Sequence, residues 1–364
     1  MSELTLSTYT TTAPAFAHTT GPKQAKLAIV GEAWGADEDL AKAPFLCSSG
    51  QELTRMLREA NIARSQCFLT NVFAFRPKDN DLGHFLVRKA DLPKDYSLPP
   101  LGSRTKTVAG SGTYVHPKVL PELARLQQEL LSVRPNLVLA LGATATWALL
   151  QASNIGSIRG TTIPSLAPPG LKVLPTYHPA GVMRNWSLRP VVIADLLKAS
   201  WEQHWPEIRR PQRQVLINPT LEEIRQWVQQ PADLYAVDIE TYGGQITMIG
   251  FARSACAAIV IPFFSTTAPE RSYWPSASEE LAAWQCVGQL LHSPVPKVFQ
   301  NGLYDLQYLA RMGFRPKACH HDTMLHHHAL FPELQKGLGF LASCYSNESA
   351  WKLMRKQESF KKDE

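Results

Sequence analysis

Four short apolar runs, each closed by a glycine or polar residue and separated from the next by helix-forming sequence, constrain this chain more than any other feature. They are AKLAIVGEAWG from Ala25, CFLTNVFAF from Cys67, NLVLALG from Asn136 and LKVLPTYHP from Leu171. Between them, SSGQELTRMLREANI carries Leu53, Met56, Leu57 and Ala60 at helical spacing, with a serine available as cap. HPKVLPELARLQQELLSVRP and ATATWALLQ supply two more helices. Strands alternating with helices imply a parallel sheet covered on both faces, a three-layer α/β/α domain. Such sheets bind ligands beyond the carboxyl ends of their strands, which here carry Glu32, Asn71 and His178. Pro179 denies His178 an easy helical backbone, so the imidazole is expected on an extended turn where the strand stops.

With 364 residues, 45% hydrophobic and 19% charged, the chain has core material for about two domains. Its longest apolar runs, LVLALGATATWALL and AAIVIPFF, fall short of the roughly 20 residues that cross a bilayer. No charged head with an apolar stretch opens the sequence, so neither a membrane span nor export is expected. The six cysteines, 47, 67, 256, 286, 319 and 344, form no CxxC pair. That argues against a disulfide framework or thiolate cage and fits a reducing cytosol. A formal net charge of +6 modestly favours a polyanion partner.

Residues 1–22, rich in Ser, Thr and Ala without period, read as a disordered arm, and 23–204 as the first domain. Within it the stretch 77–115 is too long and polar for an ordinary connector and so reads as functional or disordered. WPEIRRPQRQ, at 205–214, reads as a linker. After it LYAVDIETYGG, ITMIGFARS and AAIVIPFF read as three successive strands, followed by a helix, a strand (KVFQNG) and two helices. A mixed sheet is therefore expected over 215–348, and a charged tail over 349–364.

Glu32 lies on a tight turn flanked by Gly31 and Gly35, with Asp37, Glu38 and Asp39 suited to the dipole at a helix start. A carboxylate, an amide and an imidazole at three strand ends, with Phe45 on a nearby loop, form the combination that holds an extruded nucleobase. In this order GEAWG, PF…SG…L, TN…RP, LG…A and TYHP…R resemble the uracil-DNA glycosylase superfamily over residues 24–200. The nearest branch usually reads GEAPG in its first motif and carries an iron–sulfur cluster. The resemblance implies DNA as partner, Glu32 positioning or activating water, Phe45 stacking on the base, Asn71 reading its Watson–Crick edge and His178 bonding O2. Gly31 and Gly35 would line the base, and Val182, Met183 and Arg184 would supply a wedge and a phosphate contact to the duplex. The cluster cysteines of that branch are absent, so no iron–sulfur centre is expected. Trp34 stands at the usual proline, and Gly35 where related enzymes place a tyrosine that blocks a C5 methyl, which leaves room for a base enlarged at C5.

In VDIET, Asp238 and Glu240 are two apart on a strand, so both carboxylates face one side and can share a divalent ion. VFQNGLYDLQYL adds Asn301 and Asp305, and HDTMLHHHALF follows. These stretches resemble the proofreading exonuclease domain of family A DNA polymerases, whose acids hold two ions, Mg2+ or Mn2+, for phosphodiester hydrolysis. The resemblance implies an RNase H-like fold. That family needs a further acid four residues after a tyrosine, where this chain has Ser349 after Tyr345. The site is therefore expected to be incomplete and to bind ions poorly, unless a polymerase polypeptide completes the domain, as in bacteriophage replication proteins. Histidines 320, 321, 326, 327 and 328 read as a polar helix surface rather than a zinc site.

The favoured function is thus a glycosylase that removes uracil, or a C5-modified uracil, from DNA in repair or phage replication, in the cytoplasm of a bacterial host cell. Two alternatives stay open. One is a non-catalytic DNA-binding subunit of a split phage polymerase, and the other a metal-dependent 3'-5' exonuclease.

Overall fold

In the computed structural model, which describes residues 14–102, 113–152 and 154–348, the four apolar runs become parallel neighbours. β1 (Leu27–Gly31) leads through α1 (Ala36–Ala41) and α2 (Ser48–Glu59) to β2 (Cys67–Asn71). The short strands β3 (Leu86–Arg88) and β4 (Thr113–Val115) pair with each other ahead of α3 (Pro121–Val133), β5 (Leu137–Leu141) and α4 (Gly142–Leu150). Then come α5 (Ile155–Ile158), β6 (Ile163–Leu166), β7 (Pro169–Thr176), α6 (Pro179–Arg184) and α7 (Arg189–Glu202). The sheet runs β2-β1-β5-β7-β6, parallel except for β6. Alternate residues feed two cores. Ala28 and Val30 pack with α3 and α4, while Leu27 and Ile29 pack with α2, α6 and α7. A strand buried on both faces makes a continuous apolar run, as observed.

Two expectations for this unit need correction. Residues 14–22 of the arm are folded, covering the outer edge of β2, whose backbone groups would otherwise lack partners there. Thr20 exchanges two backbone hydrogen bonds with Leu69, at 3.1 and 2.8 Å, and the Phe16 ring lies edge-on to Phe68 at 6.0 Å. Residues 1–13 lie outside the described residues. The 77–115 stretch is also folded where described: Leu82, Phe85, Leu86 and Leu101 join the core, and the Trp147 indole donates to Pro99 O at 2.9 Å. Its residues 103–112 are not described.

The second unit, Arg210–Leu338, contains β8 (Gln214–Ile217), α8 (Leu221–Val228), β9 (Tyr235–Tyr242), β10 (Gln245–Ser254), β11 (Ala257–Pro262) and α9 (Ala277–His292). β12 (Lys297–Phe299), α10 (Leu303–Arg311), β13 (Cys319–Asp322) and α11 (Thr323–Leu330) follow. The order β13-β12-β9-β10-β11-β8 has β10 antiparallel to both neighbours, the RNase H-like arrangement with one added edge strand. Sequence reading missed β8 and α8, both short. It also read as helical the HHD that closes β13, where Asp322 caps α11.

The last described helix, α12 (Leu338–Tyr345), groups from Gly339 onward with the first unit rather than ending the second at 348. Buried Arg159 donates to Ser343 Oγ at 2.7 Å, Lys198 Nζ to Ser346 O at 2.6 Å, and Asn347 Nδ2 to Glu202 Oε1 at 3.2 Å. The proposed tail, 349–364, lies outside the described residues.

Candidate functional site

Parallel pairing sets Gly31 opposite Asn71, so two of the expected site residues emerge side by side. Glycine is required there. A Cβ on Gly31 would fall 2.2 Å from Asn71 Oδ1 and 2.6 Å from Phe45 Cζ, which means that amide and ring close over the bare backbone. Phe45 adopts the left-handed backbone conformation, φ 58°, that a bulky residue adopts only when its surroundings insist. Those surroundings are Arg64, whose guanidinium donates to Phe45 O at 2.9 Å, and Gly50, where a Cβ would meet the same carbonyl at 2.0 Å. Glu38, expected to serve only the helix dipole, is instead buried and bridges two loops. It accepts from Gly35 N at 2.6 Å and from Leu46 N at 3.2 Å.

The amide of Asn71 is 3% exposed, and its Nδ2 finds no hydrogen-bond partner among the described residues. A buried donor left open is costly and marks a place for a ligand acceptor. Its backbone is clamped from behind. Arg125 of α3 donates to Asn71 O at 2.6 Å and Val72 O at 3.0 Å, and pairs with Glu122 and Glu129. Glu129 accepts from Thr70 Oγ1 at 2.7 Å and Glu122 from Ala74 N at 2.8 Å, so one helix face fixes the end of β2.

Glu32 follows β1, and Thr144 in the first turn of α4 donates to its Oε2 at 2.5 Å. Burial raises the carboxyl above its ordinary range, against the opposing Thr144 bond and the Arg184 charge. Next to Thr144, Gly142 takes φ 86°, and a Cβ there would lie 3.0 Å from His178 Cβ. His178 caps α6, its Nδ1 accepting from Ala180 N at 3.2 Å, which assigns the ring proton of the neutral form to Nε2. Burial, aided by Arg184, lowers this imidazole to about 4, so it is an uncharged donor near neutrality. Both Glu32 and His178 therefore respond to Arg184.

One expected contact resolves differently. Val182 is 0% exposed, packed among Leu53, Met56 and Leu57, and cannot wedge into DNA. Helical geometry turned it inward, while Met183 at 48% and Arg184 face solvent. Trp34 is buried against the His18 ring at 4.5 Å, with the Lys42 ammonium 5.3 Å from its own ring. Sequence reading missed Arg64, Arg125 and Thr144 as partners of the site. The one written hint was a polar stripe, Glu122, Arg125 and Glu129, on a single helix face.

Residues 18–204 match the model of the uracil DNA glycosylase superfamily. The chain belongs to the uracil-DNA glycosylase superfamily. Among its relatives is the Type-4 uracil-DNA glycosylase of Thermotoga maritima, 30% identical over 183 residues, covering 49% of this chain and 78% of that protein. The Type-4 enzyme of Saccharolobus solfataricus is 27% identical over 185 residues, 49% and 71%. Residues 216–363 match a 3'-5' exonuclease family, which gives the glycosylase unit a second, exonuclease domain. Among solved structures, Brucella melitensis NrnC is similar at 18% identity over 38% of this chain and 63% of its own, with a TM-score of 0.26.

The donor set of the glycosylase unit does not fit an iron–sulfur cluster. Four thiolates are the usual ligands, and only Cys47, Cys67 and Cys344 belong to this unit. Burial pushes the Cys67 thiol up to about 11, the reverse of what a metal ligand needs.

In the exonuclease domain Asp238 and Glu240 share the exposed face of β9, as their spacing requires. Asp305 is buried, its Oδ1 accepting at 3.0 Å from the backbone N–H of Ile239, the residue between them. Burial pushes it up to about 6, with Asp238 and Asp322 adding to the effect. Asp322 is committed to structure, accepting from Gly302 N at 2.8 Å, Met324 N at 2.9 Å and Asn301 N at 3.2 Å. Among the described residues no three His, Cys, Asp or Glu side chains are placed to hold a metal ion. The acids do not fit a two-ion site as they stand, and Ser349 lies outside the described residues. Of the five histidines, His327 is buried and the other four are exposed.

Proposed function

We propose that the first unit hydrolyses the bond between uracil N1 and deoxyribose in DNA. One observation carries the reading: a buried Asn71 amide with an open Nδ2 lies beside Phe45, at strand ends shared with Glu32 and an uncharged His178. Uracil offers an N3–H donor and an O4 acceptor, which Asn71 Oδ1 and Nδ2 match; cytosine reverses both and is opposed. Phe45 stacks on the extruded ring. As the glycosidic bond lengthens, its electron pair moves onto the base, and His178 Nε2–H donates to O2 where that charge gathers. Glu32 orients the water that adds at C1′ and accepts its proton. Arg184 meets a phosphate and Met183 takes the wedge position. A Cβ on Gly35 would meet only Glu38 Oε2, at an ordinary 3.6 Å, so this wall also leaves room for a C5 substituent.

In this reading the exonuclease domain holds DNA, and a polymerase polypeptide is the partner that would complete it. The setting is repair or phage replication in a bacterial cytoplasm. Base release from single- and double-stranded oligonucleotides carrying uracil, 5-hydroxymethyluracil, thymine or cytosine, with EDTA present, tests it. Uracil is expected to be released and cytosine retained, and Asn71→Ala or His178→Ala should slow release at least about a hundredfold. No release by the wild type, where a control glycosylase acts, would overturn the proposal.

A further inference from the structure

Eight residues past His178 the chain presents a large aromatic surface to solvent. Trp186, 61% exposed, opens a 3-10 turn, Trp186–Leu188, between α6 and α7. An indole left in water forgoes the burial of up to about 250 Å² that this side chain offers, so its position calls for an explanation. The turn is firmly built. Asn185 Oδ1 accepts from Ser187 N at 3.3 Å and Ser187 Oγ at 2.7 Å. The Arg189 guanidinium lies 5.1 Å from the indole centroid, and is itself fixed by Glu52 at 2.8 Å and Glu59 at 2.5 Å. The ring is thus braced by a cation that two carboxylates immobilise, while much of its surface stays open. A rigid, half-solvated aromatic loses little entropy when a planar ligand stacks on it.

Position narrows the ligand. The six residues of α6 rise about 9 Å, and neighbouring bases are spaced about 3.4 Å apart along a strand. Trp186 stands two residues past the end of this helix, whose own length spans about two or three base spacings, and exposed Arg184 lies between it and His178 in the chain, where it can meet phosphate. We infer that Trp186 is a stacking platform for an unpaired base flanking the extruded uracil. The inference rests on the glycosylase reading and deepens it: in a duplex the flanking bases are already stacked, so the platform makes single-stranded DNA the preferred substrate.

The full chain tests this with two oligonucleotide sets, one intact and one with tetrahydrofuran spacers in place of the three bases on each side of the uracil. Trp186→Ala is expected to raise KM for the intact single strand roughly tenfold, with kcat within about twofold, and Trp186→Phe to keep most of the affinity. The wild type should lose the same factor on the spacer strand, where Trp186→Ala loses nothing more. A Trp186→Ala enzyme equal to wild type on the intact strand, or a loss equal on both strands, overturns the assignment. Fluorescence anisotropy with uracil-free versions of both strands repeats the comparison without catalysis. If the wild type releases no uracil, the proposed function falls, and the anisotropy pair still decides whether Trp186 stacks on bases.

Discussion

Thr144 Oγ1 donates to Glu32 Oε2, so the first turn of α4 grips the carboxylate that β1 delivers. Burial raises the Glu32 carboxyl and this bond lowers it, which makes Thr144 a positioning residue with an electrostatic signature. In Thr144→Val the opposing bond is gone and Glu32 ionises at higher pH. The acidic limb of the pH–rate profile for uracil release should move upward, with kcat reduced roughly tenfold at neutral pH. Thr144→Ser should restore both. An unmoved limb in Thr144→Val would show that the hydroxyl does not tune the carboxylate.

Gly31 is where the site tolerates no side chain. Its Cβ would stand 2.2 Å from Asn71 Oδ1 and 2.6 Å from Phe45 Cζ, so Gly31→Ala must displace the amide or the ring. Uracil release is expected to drop about a hundredfold. Stability should fall by about 1–3 kcal/mol, as for other overpacked sites. Gly35→Ala, whose Cβ would meet only Glu38 Oε2 at 3.6 Å, is the control and should change stability by less than about 0.5 kcal/mol. Steady-state kinetics and urea unfolding of both variants check the contrast.

What the sequence makes legible here is what periodicity can carry. Glu32, Asn71 and His178 stand out because a polar residue at the end of a buried apolar run has no place in the core, and parallel pairing gathers such ends automatically. Partners from distant parts of the chain are invisible to that logic. Arg64 reaches Phe45 from 19 residues away and Arg125 reaches Asn71 from 54; nothing local announces the first contact, and the polar stripe around Arg125 marks a helix face without naming its partner. Val182 was misplaced because a motif fixes order along the chain, whereas the facing of a short helix depends on what it packs against, here α2. The α12 segment follows the exonuclease sequence but is held by buried Arg159 and by Lys198, two residues that only folding brings to it.

His178 couples chemistry to stability. Burial and Arg184 hold its imidazole at about 4, well below its ordinary value near 6.5. Between those values the unfolded chain takes up a proton that the folded site refuses, so stability is present above about pH 6.5 and is lost as pH falls toward 4. His178→Gln keeps an N–H donor and removes the titration. The fall in the urea midpoint of the glycosylase unit between pH 7 and 5 should be smaller in this variant than in the wild type. Equal falls would mean that the imidazole protonates freely in the folded protein.

Asp305 gives the exonuclease domain the opposite dependence. Its carboxyl rises to about 6 because it is buried, with Asp238 and Asp322 nearby, although Ile239 N–H donates to it. A folded value above the unfolded one means that its contribution is fully present below about pH 3.8 and is lost as pH rises through 6. Asp305→Asn retains an oxygen to accept from Ile239 N and carries no charge. It should therefore flatten this dependence and stabilise the domain at pH 7.5 by on the order of 1–2 kcal/mol. Hydrogen exchange of β9 in the full chain, corrected for the intrinsic effect of pH, reads the change where it arises. Protection in β9 should decline from pH 5 to 7.5 in the wild type and hold steady in Asp305→Asn; a decline shared by both proteins would place the ionisation elsewhere.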